Sequence, residues 1–208
     1  MNCPLCQTKL DERMALSFFR CKTCHSYVKS DDSYISEEEE KVVYEKHNND
    51  VDDPRYQKFT SPIWEHVSKY YPTDTIGLDF GSGTGPVITH VLENKGYKVN
   101  LYDPFFAPNS AVLKGIEYDY IFSCEVFEHL QYPAKIIKQL LGLLKPGGEL
   151  ILMTLLYTPD KDFSKWAYVR DPTHIFIFTA ETFHFIAEKY DLKFVELDSR
   201  FIVLRKTT

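Results

Sequence analysis

The sequence predicts an α/β fold, an open, doubly wound and mainly parallel sheet, preceded by a small module that folds around its own cysteines. Three observations carry that expectation. Four of the five cysteines lie in the first 24 residues as two CxxC pairs. An apolar run at 75–80 breaks directly into a glycine-rich turn and then a helix pattern, which is the start of a βαβ unit. Further strand patterns at 98–102, 118–124 and 149–154 alternate with helix patterns, and the chain ends on a hairpin pattern at 193–197 and 201–205. The 208 residues suit one sizeable core plus an appendage. The expected divisions are the cysteine module at 1–30, an acidic connector with lid-like helices at 31–71, and the sheet domain at 72–208. No apolar run approaches the ~18 residues of a membrane span and the first residues are polar, so neither a membrane helix nor a secretory signal is expected. A cytoplasmic protein follows as the expectation.

Cys3-Pro-Leu-Cys6 and Cys21-Lys-Thr-Cys24 each make a knuckle presenting two thiolates, and two knuckles can meet around one tetrahedral Zn2+. About 30 residues bury too little surface to fold alone, so the metal would supply the folding free energy. Two disulfides or a redox CxxC are the alternatives; a reducing compartment and the doubled spacing favour metal. The stretch looks like a zinc ribbon. Its Lys9, Arg13, Arg20, Lys22 and Lys29 outnumber Asp11 and Glu12, but four thiolates on one Zn2+ bring the balance close to neutral. Such a module is a weak polyanion grip, and a structural or protein-docking role stands beside RNA binding.

From 31 to 53 there are ten acidic side chains against Lys41 and Lys46. Ser36 followed by Glu37–Glu40 reads as an N-cap with acids in the first turn, where they complement the helix dipole. Asp53-Pro54 and Ser61-Pro62 read as further helix starts. The second begins a helix at 62–71 with Ile63, Trp64, Val67 and Tyr70 on one face.

After the strand at 75–80 comes Asp79-Phe-Gly81-Ser82-Gly83-Thr-Gly85, then a helix at 87–95 closed by Gly96, then a strand at 98–102 ending at Asp103. The glycines let a ligand approach the backbone, and an acid after the second strand is placed to accept from ribose hydroxyls. A dinucleotide fingerprint needs GxGxxG, and Pro86 stands where its third glycine belongs.

The D-x-G-x-G-x-G spacing resembles the first motif of class I S-adenosylmethionine-dependent methyltransferases. Later segments are similar to the same family: YDYIFSC at 118–124, Glu128-His129 after it, the LKPGG turn at 144–148 before a strand, and the final hairpin. The resemblance spans roughly 72–206 and implies a Rossmann-like sheet with an antiparallel end. It implies that Asp79, Gly81, Ser82, Gly83 and Gly85 surround the amino-acid end of the cofactor, that Asp103 holds the ribose, and that Pro104 or Phe105 borders the adenine. Cys124 and Glu125, at the end of a central strand, are expected beside the cofactor. One departure stands out: only about 14 residues separate Asp103 from the strand at 118, too few for the family's usual helix and third strand.

Methyl transfer is an in-line displacement that needs a positioned nucleophile and, for a hydroxyl, a proton acceptor. The (N/D)PP(Y/F) tetrapeptide of many amino-group methyltransferases is absent after Cys124. Candidate catalytic residues are therefore His174, in the loop after the fifth strand, with Glu128 and His129. His174 is the expected general base, a positional role for these groups being the alternative. Glu125, Glu128, His129 and His174 also resemble the two glutamates and two histidines that hold a divalent metal in small-RNA 2'-O-methyltransferases, and a second metal is carried as an expectation of that resemblance. Tyr44, His47 and Asn48 stand where the family places a lid, and Trp166, Tyr168 and Arg170 are pocket candidates.

The favoured expectation is S-adenosylmethionine-dependent methylation of a small molecule at oxygen. An RNA methyltransferase gripping its substrate with the ribbon is the alternative. The −6 net charge and the acidity of residues 31–208 weigh against it. A non-enzymatic cofactor-binding scaffold is the third.

Overall fold

The computed structural model describes residues 1–46 and 49–207. Two sheets organise them. The first begins with three short strands of the cysteine module, β1 (Glu12–Arg13), β2 (Phe18–Arg20) and β3 (Tyr27–Lys29). They pair antiparallel in chain order. β3 then pairs with a strand from far along the chain, β8 (Phe176–Ile177), through Tyr27↔Ile177 and Val28↔Phe176.

Three helices follow the module. α1 (Glu37–Glu45) starts at a capping box in which Ser36 and Glu39 satisfy each other's backbone amides. α2 (Pro54–Phe59) is capped by the Asp53 side chain, and α3 (Ser61–Tyr70) carries Pro62 in its first turn, where a missing N–H costs nothing. Ile63 and Val67 of α3 are buried; the exposed Tyr70 of the expected apolar face is not.

The main sheet holds β4 (Ile76–Phe80), β5 (Lys98–Tyr102), β6 (Tyr118–Cys124), β7 (Leu144–Met153), β9 (Leu192–Leu197) and β10 (Phe201–Lys206), in the order β5-β4-β6-β7-β10-β9. The first four are parallel, and the last two form the antiparallel hairpin read from the sequence. Side chains alternate between the two faces with the period of a strand. Ile121, Leu150, Leu152, Ile202 and Leu204 point to one core with α5 (Pro133–Leu143) and α7 (Ala180–Lys189), the short α6 (Ala167–Arg170) standing between them in the chain. Tyr120, Phe122, Ile151, Met153 and Val203 point to the other, against α3 and α4 (Val87–Asn94). Helices on both faces leave the central strands dry, which is why β6 and β7 read as nearly continuous apolar runs.

Two stretches differ from a plain reading of the motifs. LKPGG, expected as a turn ahead of a strand, is part of β7. Leu144 pairs with Tyr118 and Glu149 with Tyr120, so the residues between loop out of register, with Gly147 at φ 77°. From Asp103 to Tyr118 the chain makes a 3-10 turn at Ser110–Leu113 and no strand, leaving β5 as the sheet edge. The short spacing in the sequence dictates that outcome.

The cysteine module shares a core with the sheet domain. Phe18 and Tyr27 pack with Phe163, Val169 and Ile177, while Cys3, Leu5, Leu10 and Val28 join the α5/α7 side of the main core. Lys189 of α7 donates to the Leu5 carbonyl at 2.8 Å.

Candidate active site

The carboxyl ends of β4, β5 and β6 open onto a cleft of about 860 Å3, within the range of small-ligand sites. Parallel strands put the variable loops at that end, so the residues at the strand ends converge there. The glycine turn after β4 forms its floor. Gly81 has φ 82°, and a Cβ on it would collide with the Val126 side chain. A Cβ on Gly85 would collide with the Asn49 carbonyl. The turn is thus glycine-rich for two reasons, a left-handed backbone and the close passage of the α1–α2 connection.

Asp103 organises the opposite wall. Its carboxylate accepts from the Gly83 amide at 3.0 Å and from the Phe105 and Phe106 amides at 2.8 and 3.0 Å. It therefore ties the glycine turn to the loop holding Pro104. Asp79, at the end of β4, is buried and accepts from the Thr89 hydroxyl at 2.7 Å. Burial, with the charge of Asp103 adding and Thr89 opposing, pushes its pKa up to about 7. Ser82 and Pro104 also line the cleft.

A cofactor with a ribose, an amino-acid tail and a cationic centre suits this lining. Asp103 supplies an accepting carboxylate, the glycine turn admits a close backbone approach, and Asp79, Asp103, Glu125 and Glu128 make the lining rich in carboxyl groups.

Beyond β6, Cys124, Glu125, Glu128 and His129 lie on the cleft wall. Burial pushes the Cys124 thiol up, with the nearby glutamates adding, so it stays a neutral thiol. Glu125 sits at φ 52° with Arg200 Nε 3.7 Å from its Oε1. Burial and the Glu128 charge raise its pKa to about 8, with Arg200 opposing. Glu128 is fully buried. It accepts from the Tyr168 hydroxyl at 2.6 Å and the Thr154 hydroxyl at 2.9 Å.

His174 Nδ1 lies 2.6 Å from the Tyr168 carbonyl. A carbonyl only accepts, so Nδ1 carries the proton and Nε2 presents a lone pair. That Nε2 is 4.0 Å from Glu128 Oε1. His129 is oriented the same way, its Nδ1 donating to the Thr173 carbonyl at 3.0 Å. The two imidazoles meet edge to face with centroids 4.7 Å apart. Burial lowers the His174 pKa, opposed by Glu128 and reinforced by His129.

The fold thus brings Glu128, His129 and His174 together, their ligand-capable atoms all within 4.8 Å of one another. Glu125 is not in that group and faces Arg200. Tyr44 of α1 packs edge to face on His129 and against Phe105, and its hydroxyl donates to Glu40. His47 and Asn48 lie outside the described residues. Trp166 and Arg170 lie off the cleft wall; Tyr168 acts from behind it, orienting both Glu128 and His174. Thr154 and Tyr168 were invisible as Glu128 partners, because a hydroxyl has no spacing signature.

In the cysteine module, Gln7 and His25 both have positive φ, and their amides donate back to the Cys3 and Cys21 carbonyls. The two knuckles are therefore the same turn used twice. Sγ–Sγ distances are 3.6 Å for Cys3–Cys24 and 3.4 Å for Cys6–Cys21, and all four sulfurs lie within 4.8 Å. Disulfide bonds need about 2 Å, so the four are free thiols. Four sulfurs about 2.3 Å from a common tetrahedral centre would stand about 3.8 Å apart, close to what is seen.

This is the architecture of a class I S-adenosylmethionine-dependent methyltransferase with a four-cysteine module compatible with a zinc ribbon. The chain belongs to the methyltransferase domain family, matching it over residues 27–197. It is similar to the tRNA U34 carboxymethyltransferase of Trichlorobacter lovleyi, 32% identical over 95 residues, covering 42% of this chain and 28% of that protein. It is similar also to the ubiquinone biosynthesis O-methyltransferase of Nitrosococcus oceani, 34% identical over 105 residues, covering 39% and 44%. The match thus spans less than half of either relative. Among solved structures, 1,6-didemethyltoxoflavin-N1-methyltransferase of Burkholderia thailandensis aligns over 91% of this chain and 99% of its own, at TM-score 0.57 and 13% identity. Human N-acetylserotonin methyltransferase in complex with SAM aligns over 85% and 61%, at TM-score 0.54 and 14% identity. At such identities these likenesses speak for the fold. No helix among the described residues is long and apolar enough to cross a membrane.

Proposed function

We propose that this chain methylates a small molecule at a hydroxyl oxygen, with His174 as general base. The observation that carries the reading is the fixed His174 tautomer, a bare Nε2 lone pair on the cleft beside Glu128. S-adenosylmethionine, when bound, supplies a methyl group on a sulfonium; its S–C bond breaks as the O–C bond forms, and S-adenosylhomocysteine leaves. His174 Nε2 takes the hydroxyl proton, and Glu128 offsets the charge of the resulting imidazolium. Tyr168 and Thr154 hold Glu128 in place by donating to both of its oxygens. Gly81, Ser82, Gly83 and Gly85 would receive the amino-acid end of the cofactor, Asp103 the ribose, and Pro104 the edge of the adenine. Asp79, Cys124 and Glu125 complete the tail end of that site.

A hydroxyl acceptor is favoured over an amine because it must lose a proton against an unfavourable pKa, and a buried neutral imidazole suits that task. A small acceptor is favoured over RNA by the net charge of −6 and by the acidic α1, whose Glu37 and Glu40 line the cleft. The relatives point both ways, one being named for tRNA and one for ubiquinone biosynthesis. In the same reading Cys3, Cys6, Cys21 and Cys24 hold one structural Zn2+. Residues 1–30, 31–71 and 72–208 then act as metal module, connector with lid, and methyltransferase domain.

The test is transfer of tritium from methyl-labelled S-adenosylmethionine to pools of small hydroxylated compounds and to total RNA, with and without a chelator. Labelled small molecules and loss of label in His174→Ala, with S-adenosylhomocysteine still binding, support the reading. Label in RNA alone refutes the acceptor class. Full activity of His174→Ala refutes the base, and transfer that requires an added divalent ion moves the role of Glu128, His129 and His174 to metal binding.

A further inference from the structure

We infer that the cysteine module is a buttress for the active-site loop, and that Lys29 is the positioning residue through which it holds His174. The inference rests on the reading of His174 given above. Lys29 is the last residue of β3 and is only 9% exposed. Its ammonium donates to the Pro172 carbonyl at 2.9 Å and reaches the Asp171 carbonyl at 3.5 Å. Its backbone amide donates to the Ile175 carbonyl at 2.8 Å. One residue of the module thus engages three carbonyls that bracket His174.

The loop is stitched from the other side as well. The Ile175 amide donates to the Glu128 carbonyl at 2.9 Å, and His129 Nδ1 donates to the Thr173 carbonyl. Within the loop, the Thr173 amide and hydroxyl both donate to Asp171 Oδ1. The 171–175 segment therefore lies between the module and the Glu128–His129 turn, with its carbonyls divided between them. Beyond it, β8 pairs with β3 and the Thr179 hydroxyl donates to the His25 carbonyl in the second knuckle.

Chemistry explains why a lysine stands here. Burying an ammonium is costly unless carbonyls solvate it, and burial does pull the Lys29 pKa down, Asp171 opposing. Hydrogen bonds from a charged donor are stronger than neutral ones. A residue that only filled space beside Phe18, over whose ring the ammonium lies 5.8 Å from the centroid, would not need the charge. The charge is placed on main-chain carbonyls of the loop, where it orders backbone rather than binds substrate; Lys29 is not on the cleft wall.

The experiment uses the full chain, purified with its metal, with S-adenosylhomocysteine as the cofactor probe. Lys29→Met keeps the apolar stem and removes the donor, and Lys29→Arg restores a cationic donor. Nitrogen-15 imidazole spectra read the His174 tautomer, and amide hydrogen exchange reads Asp171, Thr173, His174 and Ile175, Pro172 having no amide hydrogen. In Lys29→Met the single Nδ1–H tautomer gives way to a mixture, and the loop amides exchange roughly tenfold faster or more, the loss expected for a charge-assisted hydrogen bond. S-adenosylhomocysteine affinity and zinc content stay unchanged, and Lys29→Arg recovers most of the tautomer signal. An unchanged tautomer and exchange rate overturns the inference. So does faster exchange spread evenly over β4, β6 and β7, which would mean general destabilisation. If Lys29→Met fails to fold, Lys29→Gln is measured the same way with the same two outcomes. The base reading fails separately: His174→Ala that keeps turnover, beside a Lys29→Met that frees the loop, leaves the buttress standing.

Discussion

Asp79→Asn offers a quantitative check on the electrostatics of the cleft. The Asp79 carboxyl is buried at the end of β4, with its pKa raised from 3.8 to about 7, chiefly by burial. In the unfolded chain the group ionises at its ordinary value. Between those two pH values the folded state holds a proton that the unfolded state has lost, so stability falls as pH rises. The slope is ~1.4 kcal/mol per pH unit for one group, which makes ~3 kcal/mol between pH 5 and pH 7 an upper bound. Asparagine removes the titration and keeps an oxygen for the Thr89 hydroxyl. Its amide adds a constant cost that cancels in any comparison across pH. Urea unfolding of both proteins without cofactor at pH 5, 6, 7 and 8 should show the variant gaining ~1–3 kcal/mol on the wild type between pH 5 and 7, then levelling. The equivalent rise in melting-temperature difference is roughly 2–12 °C for a domain of this size. Parallel stability curves across that range would refute the argument.

Gly81→Ala forces an ordinary residue into left-handed backbone and against Val126. It should cost about 1–3 kcal/mol and weaken S-adenosylhomocysteine binding in calorimetry, and retention of both wild-type values would count against the glycine cradle. Cys24→Ser should reduce bound zinc from one per chain to almost none, by plasma emission spectrometry. It should also lower the melting temperature, since a three-thiolate module loses metal-derived folding energy; full zinc retention would remove the four-cysteine site. The pH profile of turnover on the acceptor found by tritium transfer should rise with pH on an acid limb below pH 6.5, because burial lowers the His174 pKa and the neutral base persists there. An acid limb well above that pH, or one that survives His174→Ala, would contradict the assignment.

The sheet was readable because its signals are local. A strand that must be dry on both faces spells itself as an apolar run, as YDYIFSC does, and the glycine turn after Asp79 records a backbone need that only glycine meets. The missing third strand was readable as well, because too few residues lie between Asp103 and Tyr118 to build one. The cysteine tetrad was readable from spacing, as its repeated knuckle is a local turn used twice. The LKPGG bulge was not, since its register depends on where β6 places Tyr118 and Tyr120.

What the amino-acid sequence determined by itself is the parallel sheet with its hairpin end, the glycine cradle, Asp103 beside it and the four clustered thiols. Each of these is written in residues near one another in the chain, where spacing and periodicity are the physics. Only the tertiary structure decided which way His174 faces, that Tyr168 and Thr154 hold Glu128, that Arg200 sits across from Glu125, and that Lys29 reaches the loop 142 residues away. Those contacts depend on how packed layers bring distant backbone together. Hydroxyls, carbonyls and an ammonium leave no periodic trace of the partners they will meet.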